Sequence, residues 1–307
     1  MKIKAFIKNY KFKWVDVVGV VFILIGIVGI LNVMPKNTTE SSKLYYLCIG
    51  VDKTVPMDQR VEFNNSIGQA DGIFLIAIDE KRKTMDIISI PRDTIVTIEK
   101  YYSDMEYIGP EEAQICLQYA YADGLERSCE LMVDRVEEIF DGIEIDGYVS
   151  INLSALYQIN DVVGGVSLVV NDKLVAEALA VEVGTEVHLN SENMPIYIRT
   201  REKREAEGAY QRTLRYKEYV TAFIPQAKET VKRNPEIVLS MFDILQEHMV
   251  TDIEISDIVS LLTNITDMSM ENIQYDTLEG NIILGADGYE EFYPDEWKLN
   301  ALKKRIS

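Results

Sequence analysis

Residues 72–79, GIFLIAID, and 84–90, TMDIISI, are two short apolar runs separated only by EKRK at 80–83. β-Branched and aromatic residues in runs this short read as buried strands, and the compact polar turn makes the pair a hairpin. LYYLCIGV (44–51) is a third run of the same kind, and GYVSI (147–151) and VSLVV (166–170) are shorter ones. Between and after these runs the period changes from two to helical. The spacing predicts helices over 110–123, 126–140, 153–161, 209–233, 237–249 and 255–265, with a last one starting near Pro294. In the 209–233 segment Tyr216, Val220, Phe223, Ala227 and Val231 share one face, and Pro225 is expected to kink or split it. The sum is one α/β domain, a central mixed sheet with helices on both sides.

Ahead of this domain, residues 17–34 read VVGVVFILIGIVGILNVM, with Asn32 as the only strongly polar member. At 1.5 Å per residue such a helix covers about 27 Å, close to a bilayer core. Trp14 stands where an interfacial aromatic belongs, and Lys2, Lys4, Lys8, Lys11 and Lys13 place the N-terminus in the cytoplasm. PKNTTESSK follows without a small-residue cleavage site, so the segment reads as an uncleaved anchor. The expected organisation is a basic cytoplasmic segment (1–13), a transmembrane helix (14–34), a linker (35–43), a main extracellular domain (44–233) and a C-terminal helical extension packed on it (234–307). The protein is then single-pass in the cell membrane.

The formal charge is −19. Residues 1–34 hold five lysines against one aspartate, which leaves −23 on the remainder. So acidic a body is a poor nucleic-acid binder, because phosphate neutralisation drives that affinity. Three cysteines, Cys48, Cys116 and Cys129, are too few for a disulfide scaffold and read as packed thiols. His188 and His248 stand in no nucleophile motif, so a Ser/His triad has no support.

Against this acidic background the arginines ask for a local reason. SIPRDT (89–94) ends a buried strand at Pro91 and presents Arg92 at its end, where α/β folds commonly form sites. In IYIRTR (196–201), Arg199 and Arg201 point the same way if the stretch is extended. Arg212 and Arg215 are helix neighbours, and Arg212 lies one turn before Tyr216 on the apolar stripe, facing inward near the helix start. A bound anion there is favoured by the first-turn N–H groups and offsets the unfavourable position of a cation. Guanidinium groups suit bidentate phosphate recognition. Five of them suggest a diphosphate; pairing with Glu202, Glu205 and Glu207 is the competing explanation. Asp52 ends the first strand and Asp71 begins the second. Adjacent strands bring the two carboxylates together, as magnesium sites beside diphosphates require, although Asp at a strand end also serves turns.

CIGVD (48–52), AD (70–71), SIPRDT (89–94), NDVVGGVSLVV (160–170), YIRTR (197–201) and RTLRYKE (212–218) together resemble, in order, the LytR-CpsA-Psr family of membrane-anchored cell-wall phosphotransferases. The resemblance implies an α/β/α sandwich preceded by one transmembrane helix. It implies transfer of a phosphorylated glycopolymer from a polyprenyl diphosphate carrier to a peptidoglycan acceptor, with the lipid in an apolar tunnel. It assigns Mg²⁺ to Asp52 and Asp71. It assigns the diphosphate to Arg92, Arg199, Arg201, Arg212 and Arg215, with Gln69 or Asp93 orienting the network; Arg92, Asp71, Arg199 and Arg201 are the catalytic set. The chain departs from the family pattern at Gln69 and Tyr216, at Ala209 in AYQR (209–212), and at Gln114-Ile115-Cys116. These departures keep a second reading open, a non-catalytic polyprenyl-phosphate binder with a regulatory or assembly role, of the kind labelled transcriptional attenuators.

Overall fold

The computed structural model describes residues 43–62, 66–102, 104–200, 208–234, 236–253, 269–286 and 288–307. The expected anchor (14–34), its flanking segments, Arg201 and the expected helix 255–265 lie outside them. Among the described residues no helix is long and apolar enough to cross a membrane.

The strands are β1 (Lys43–Val51), β2 (Ala70–Asp79), β3 (Thr84–Ser89), β4 (Ile95–Tyr101), β5 (Tyr107–Gln114), β6 (Gly147–Asn152), β7 (Val166–Val170), β8 (Thr185–Leu189), β9 (Met249–Thr251), β10 (Ile273–Thr277), β11 (Gly280–Leu284) and β12 (Glu290–Pro294). Six of them form a mixed sheet in the order β10-β3-β2-β1-β6-β9. β1 runs antiparallel to β2 and parallel to β6, and β2 with β3 forms the expected hairpin.

The sheet is covered on both faces because its strands are apolar on both faces. Side chains alternate across a strand. Tyr46 and Cys48 of β1, Phe74 and Ile76 of β2 and Val149 and Ile151 of β6 enter one core. There they meet the helices Leu153–Val162, Gly208–Arg233 and Ile237–Leu245. Leu47, Ile49, Ile73 and Leu75 point the other way, toward the helices Cys116–Ala120, Glu126–Ile139 and Glu296–Ile306. Each such fully buried aliphatic side chain contributes about 1.5–3 kcal/mol. All three cysteines are free and buried, as the packed-thiol reading expects.

Four local expectations need correction. The segment 110–123 is not one helix. β5 occupies Tyr107–Gln114, paired with β4, and only Cys116–Ala120 is helical. Cross-strand pairing decides this: Lys100 meets Glu111, and Thr97 meets Glu112. IYIRTR is not extended. Pro195 starts a short helix, Met194–Arg199, and the backbone turns extended only at Thr200. The C-terminal part is not simply helical, since β9 and β10 supply both edges of the central sheet and β11–β12 form a hairpin. Finally, the helix Gly208–Arg233 continues through Pro225 without being split.

Candidate functional site

Antiparallel pairing sets the site. The C-terminal end of β1 meets the start of β2, and the end of β3 returns to the same edge. Asp52 therefore follows β1 beside Gln69, whose carbonyl accepts from the Asp52 amide at 3.0 Å, while Asp71 opens β2. Arg92 stands just past β3, where Ile90 N still bonds Ile73 O at 2.9 Å.

Asp71 is 7 % exposed, and two guanidinium groups share its carboxylate. Arg92 Nη1 pairs with Oδ1, and Arg212 Nη1 lies 3.0 Å from Oδ2. Arg92 also donates from Nη2 to Gln69 Oε1 at 2.7 Å, and its Nε lies 3.5 Å from Asp93. The guanidinium carbon of Arg212 sits 6.0 Å from the Tyr216 ring centroid, within cation–π reach. Arg199 closes the outer side: its Nη2 is 3.1 Å from Asp52 Oδ1, and its side chain is 52 % exposed.

Arg215 goes elsewhere. It is as buried as Arg212, but its terminal nitrogens are taken by Asp172 and the Thr200 carbonyl. Asp172 also caps the helix Lys173–Ala178. Arg215 thus ties that cap to the chain leaving the helix Met194–Arg199. The sequence reading missed Asp172, although Asn-Asp ahead of KLVAEA is a helix-start signature. It read Cys116 as a packed thiol and a departure from the family pattern, without a place in the site. Cys116 packs against Arg92, its amide donates to the Arg92 carbonyl at 3.1 Å, and burial pushes its thiol up to about 12.

The cluster is under-satisfied. Among the described residues, Nε of Arg92, Nε and Nη2 of Arg212, and Nε of Arg215 are buried without hydrogen-bond acceptors. A buried donor without a partner costs about 1–3 kcal/mol, and guanidinium nitrogens only donate. The arrangement is short of acceptor oxygens, which is what an anion supplies. Burial raises the Asp52 carboxyl above its ordinary range, the Asp71 carboxylate raises it further, and Arg199 opposes both. Burial likewise lifts Asp93 to about 6, against the pull of Arg92.

Among the described residues no three His, Cys, Asp or Glu side chains gather into a metal cage. Two crowded carboxylates nevertheless fit Mg²⁺, which takes one or two of them and fills its shell with water and substrate phosphate. A dication there would offset both the burial and the Asp71 charge that raise Asp52.

Beside Asp71 the site opens into an apolar pocket of about 830 Å³, its open mouth included. Phe74, Leu156, Ile198, Tyr219, Phe223 and Ile224 line it between the sheet and the helices. Its floor next to Asp71 is the cross-strand pair Gly50–Gly72. A Cβ on Gly50 would stand 3.6 Å from Gly72, so two absent side chains keep this end open.

The chain belongs to the LytR_cpsA_psr family, whose model matches residues 31–307. It is similar to the polyisoprenyl-teichoic acid–peptidoglycan teichoic acid transferase TagU of Halalkalibacterium halodurans, with 26 % identity over 199 residues, 64 % of this chain and 59 % of the relative. TagT of Bacillus subtilis, a transferase of the same name, is 26 % identical over 267 residues, 81 % of this chain and 73 % of TagT. The structure of TagT bound to LI-WTA shares the fold, with a TM-score of 0.63, 22 % identity, and coverage of 89 % of this chain and 92 % of that one. The match therefore spans about three fifths of the TagU relative.

Proposed function

We propose that the protein is a membrane-anchored, extracytoplasmic phosphotransferase. It moves a phosphorylated glycopolymer from a polyprenyl diphosphate carrier to a peptidoglycan acceptor. One observation carries the reading: buried guanidinium groups with unmet N–H donors stand at the head of an apolar pocket. A prenyl chain suits the pocket, and the diphosphate suits the arginines. The names of the curated relatives, which act on polyisoprenyl-linked teichoic acid, support the same substrate class.

In this reading the carboxylates hold the place of the phosphates until substrate arrives. Arg92 and Arg212 then turn from Asp71 toward diphosphate oxygens. Arg199 does the same from the exposed side, and the sequence assigns Arg201 to the same diphosphate. Asp52 and Asp71 are left to hold Mg²⁺, which when bound would neutralise charge on the diphosphate and on the departing lipid phosphate. An acceptor hydroxyl attacks the sugar-side phosphorus, and the bond to the lipid phosphate breaks. Positioning and charge neutralisation supply most of such a barrier reduction, so no covalent nucleophile is needed. Gln69 accepts from Arg92 and steadies it. Arg215 positions the Thr200 backbone between Arg199 and Arg201 rather than gripping the diphosphate through its own terminal nitrogens.

The test is to supply a polyprenyl diphosphate-linked sugar with Mg²⁺ and measure polyprenyl phosphate release. Turnover that disappears in Arg92→Ala supports transfer. Gln69, an amide where the family pattern has a guanidinium, favours the second reading, a binder without turnover. Tight binding of the lipid with no release in the wild type would establish that reading instead.

A further inference from the structure

We infer that Tyr157 is a substrate-binding residue of this site, its hydroxyl donating to a phosphate oxygen held by Arg199; the inference rests on the diphosphate reading above. The helix Leu153–Val162 that carries Tyr157 is fixed at its start, where Asn152 accepts from Ala155 N at 3.0 Å. Leu153, Leu156 and Ile159 of this helix line the apolar pocket. Tyr157 follows Leu156 and is packed against the same core, with its ring half-buried. Its hydroxyl is buried and has no hydrogen-bond partner among the described residues.

The charged groups acting on that hydroxyl are Arg199 and Asp52. Arg199 has only donors to offer, and Asp52 is already engaged by Arg199. Among the described residues, a phenol and a guanidinium, both donors, thus share a neighbourhood whose carboxylate, Asp52, is paired with Arg199. The missing component is an acceptor. Burial lifts the phenol to about 12, so it keeps its proton at neutral pH and remains a donor. Arg199 is the half-exposed guanidinium of the cluster, and an ion pair as exposed as its contact with Asp52 costs little to exchange for an incoming anion. When it does, the oxygen it grips completes the Tyr157 hydroxyl.

The experiment compares Tyr157→Phe with wild type by isothermal titration with farnesyl diphosphate in the presence of Mg²⁺. Thermal unfolding of the ligand-free proteins is followed in parallel. A lost hydrogen bond to a charged oxygen weakens binding about ten- to hundredfold. Because the hydroxyl has no partner in the free protein, the midpoint of unfolding is expected to stay level or rise. Tyr275, another buried hydroxyl without a partner among the described residues, lies on β10, and Tyr275→Phe is expected to bind as wild type does. Wild-type binding that Tyr157→Phe matches within twofold overturns the inference and leaves the diphosphate reading standing. Equal weakening in Tyr275→Phe also overturns it, since any lost buried hydroxyl would then do. Absence of wild-type binding removes the diphosphate reading and this inference together.

Discussion

Arg212 reaches Asp71 across 3.0 Å, tying the second turn of the long helix to the first residues of β2. Arg92 holds the other oxygen of the same carboxylate. Both pairs are largely shielded from solvent, so removing the shared anion strips each guanidinium of the carboxylate it bonds and leaves Arg92 only its longer contact with Asp93. Asp71→Asn is expected to lower stability by about 3–5 kcal/mol, read as a fall in the urea midpoint with an unchanged slope. Added inorganic pyrophosphate should restore part of the loss if these arginines accept phosphate.

Arg199 should behave differently. Its pair with Asp52 is half-exposed, and such pairs are worth about 0–1 kcal/mol. Arg199→Ala is therefore expected to unfold within about 1 kcal/mol of wild type. Polyprenyl phosphate release should nevertheless fall by on the order of 10²–10³, the usual effect of deleting one group that stabilises developing charge. Equal losses of stability and release would place Arg199 in the scaffold.

The Gly50–Gly72 floor predicts a separation of lipid from head group. A side chain on Gly72 points to the face carrying Phe74, at 3.4 Å from its ring, and takes up pocket space beside Asp71. Gly72→Val is expected to keep the fold and inorganic pyrophosphate binding while losing at least tenfold in farnesyl diphosphate affinity, as measured by calorimetry. Unchanged prenyl affinity would show that the lipid lies elsewhere.

Asp93 sets a pH dependence. Its folded carboxyl is raised to about 6, chiefly by burial, against about 3.9 in an unfolded chain. The folded state holds the proton longer, so stability falls as pH rises from about 4 to about 6 and is level above that. The two-unit gap corresponds to about 3 kcal/mol. Asp93→Asn should remove this slope and raise stability at pH 7, seen in urea midpoints between pH 4 and pH 7.5. Parallel wild-type and variant curves would rule out the assignment.

The β2–β3 hairpin was legible because alternation and a polar turn act locally, within residues 72–90. The inward aim of Arg212 was legible too, from its place one turn before Tyr216. β5 was not: Glu111, Glu112 and Gln114 look helical alone, and only β4 makes them a strand. The helix that carries Arg199 was not legible, since Pro195 begins a helix as readily as it interrupts a strand. The diversion of Arg215 to Asp172 depends on a contact 43 residues apart, which spacing does not encode.

Both outer strands of the central sheet come late in the chain: Met249–Thr251 borders β6 and Ile273–Thr277 borders β3. Until residues 249–277 emerge, β3 and β6 keep unpaired backbone rims, which invite pairing with other chains. Completion of the sheet consequently waits on these two segments. A ribosome that stalls, or a protease that clips, shortly after Arg233 releases a sticky intermediate rather than a smaller folded domain.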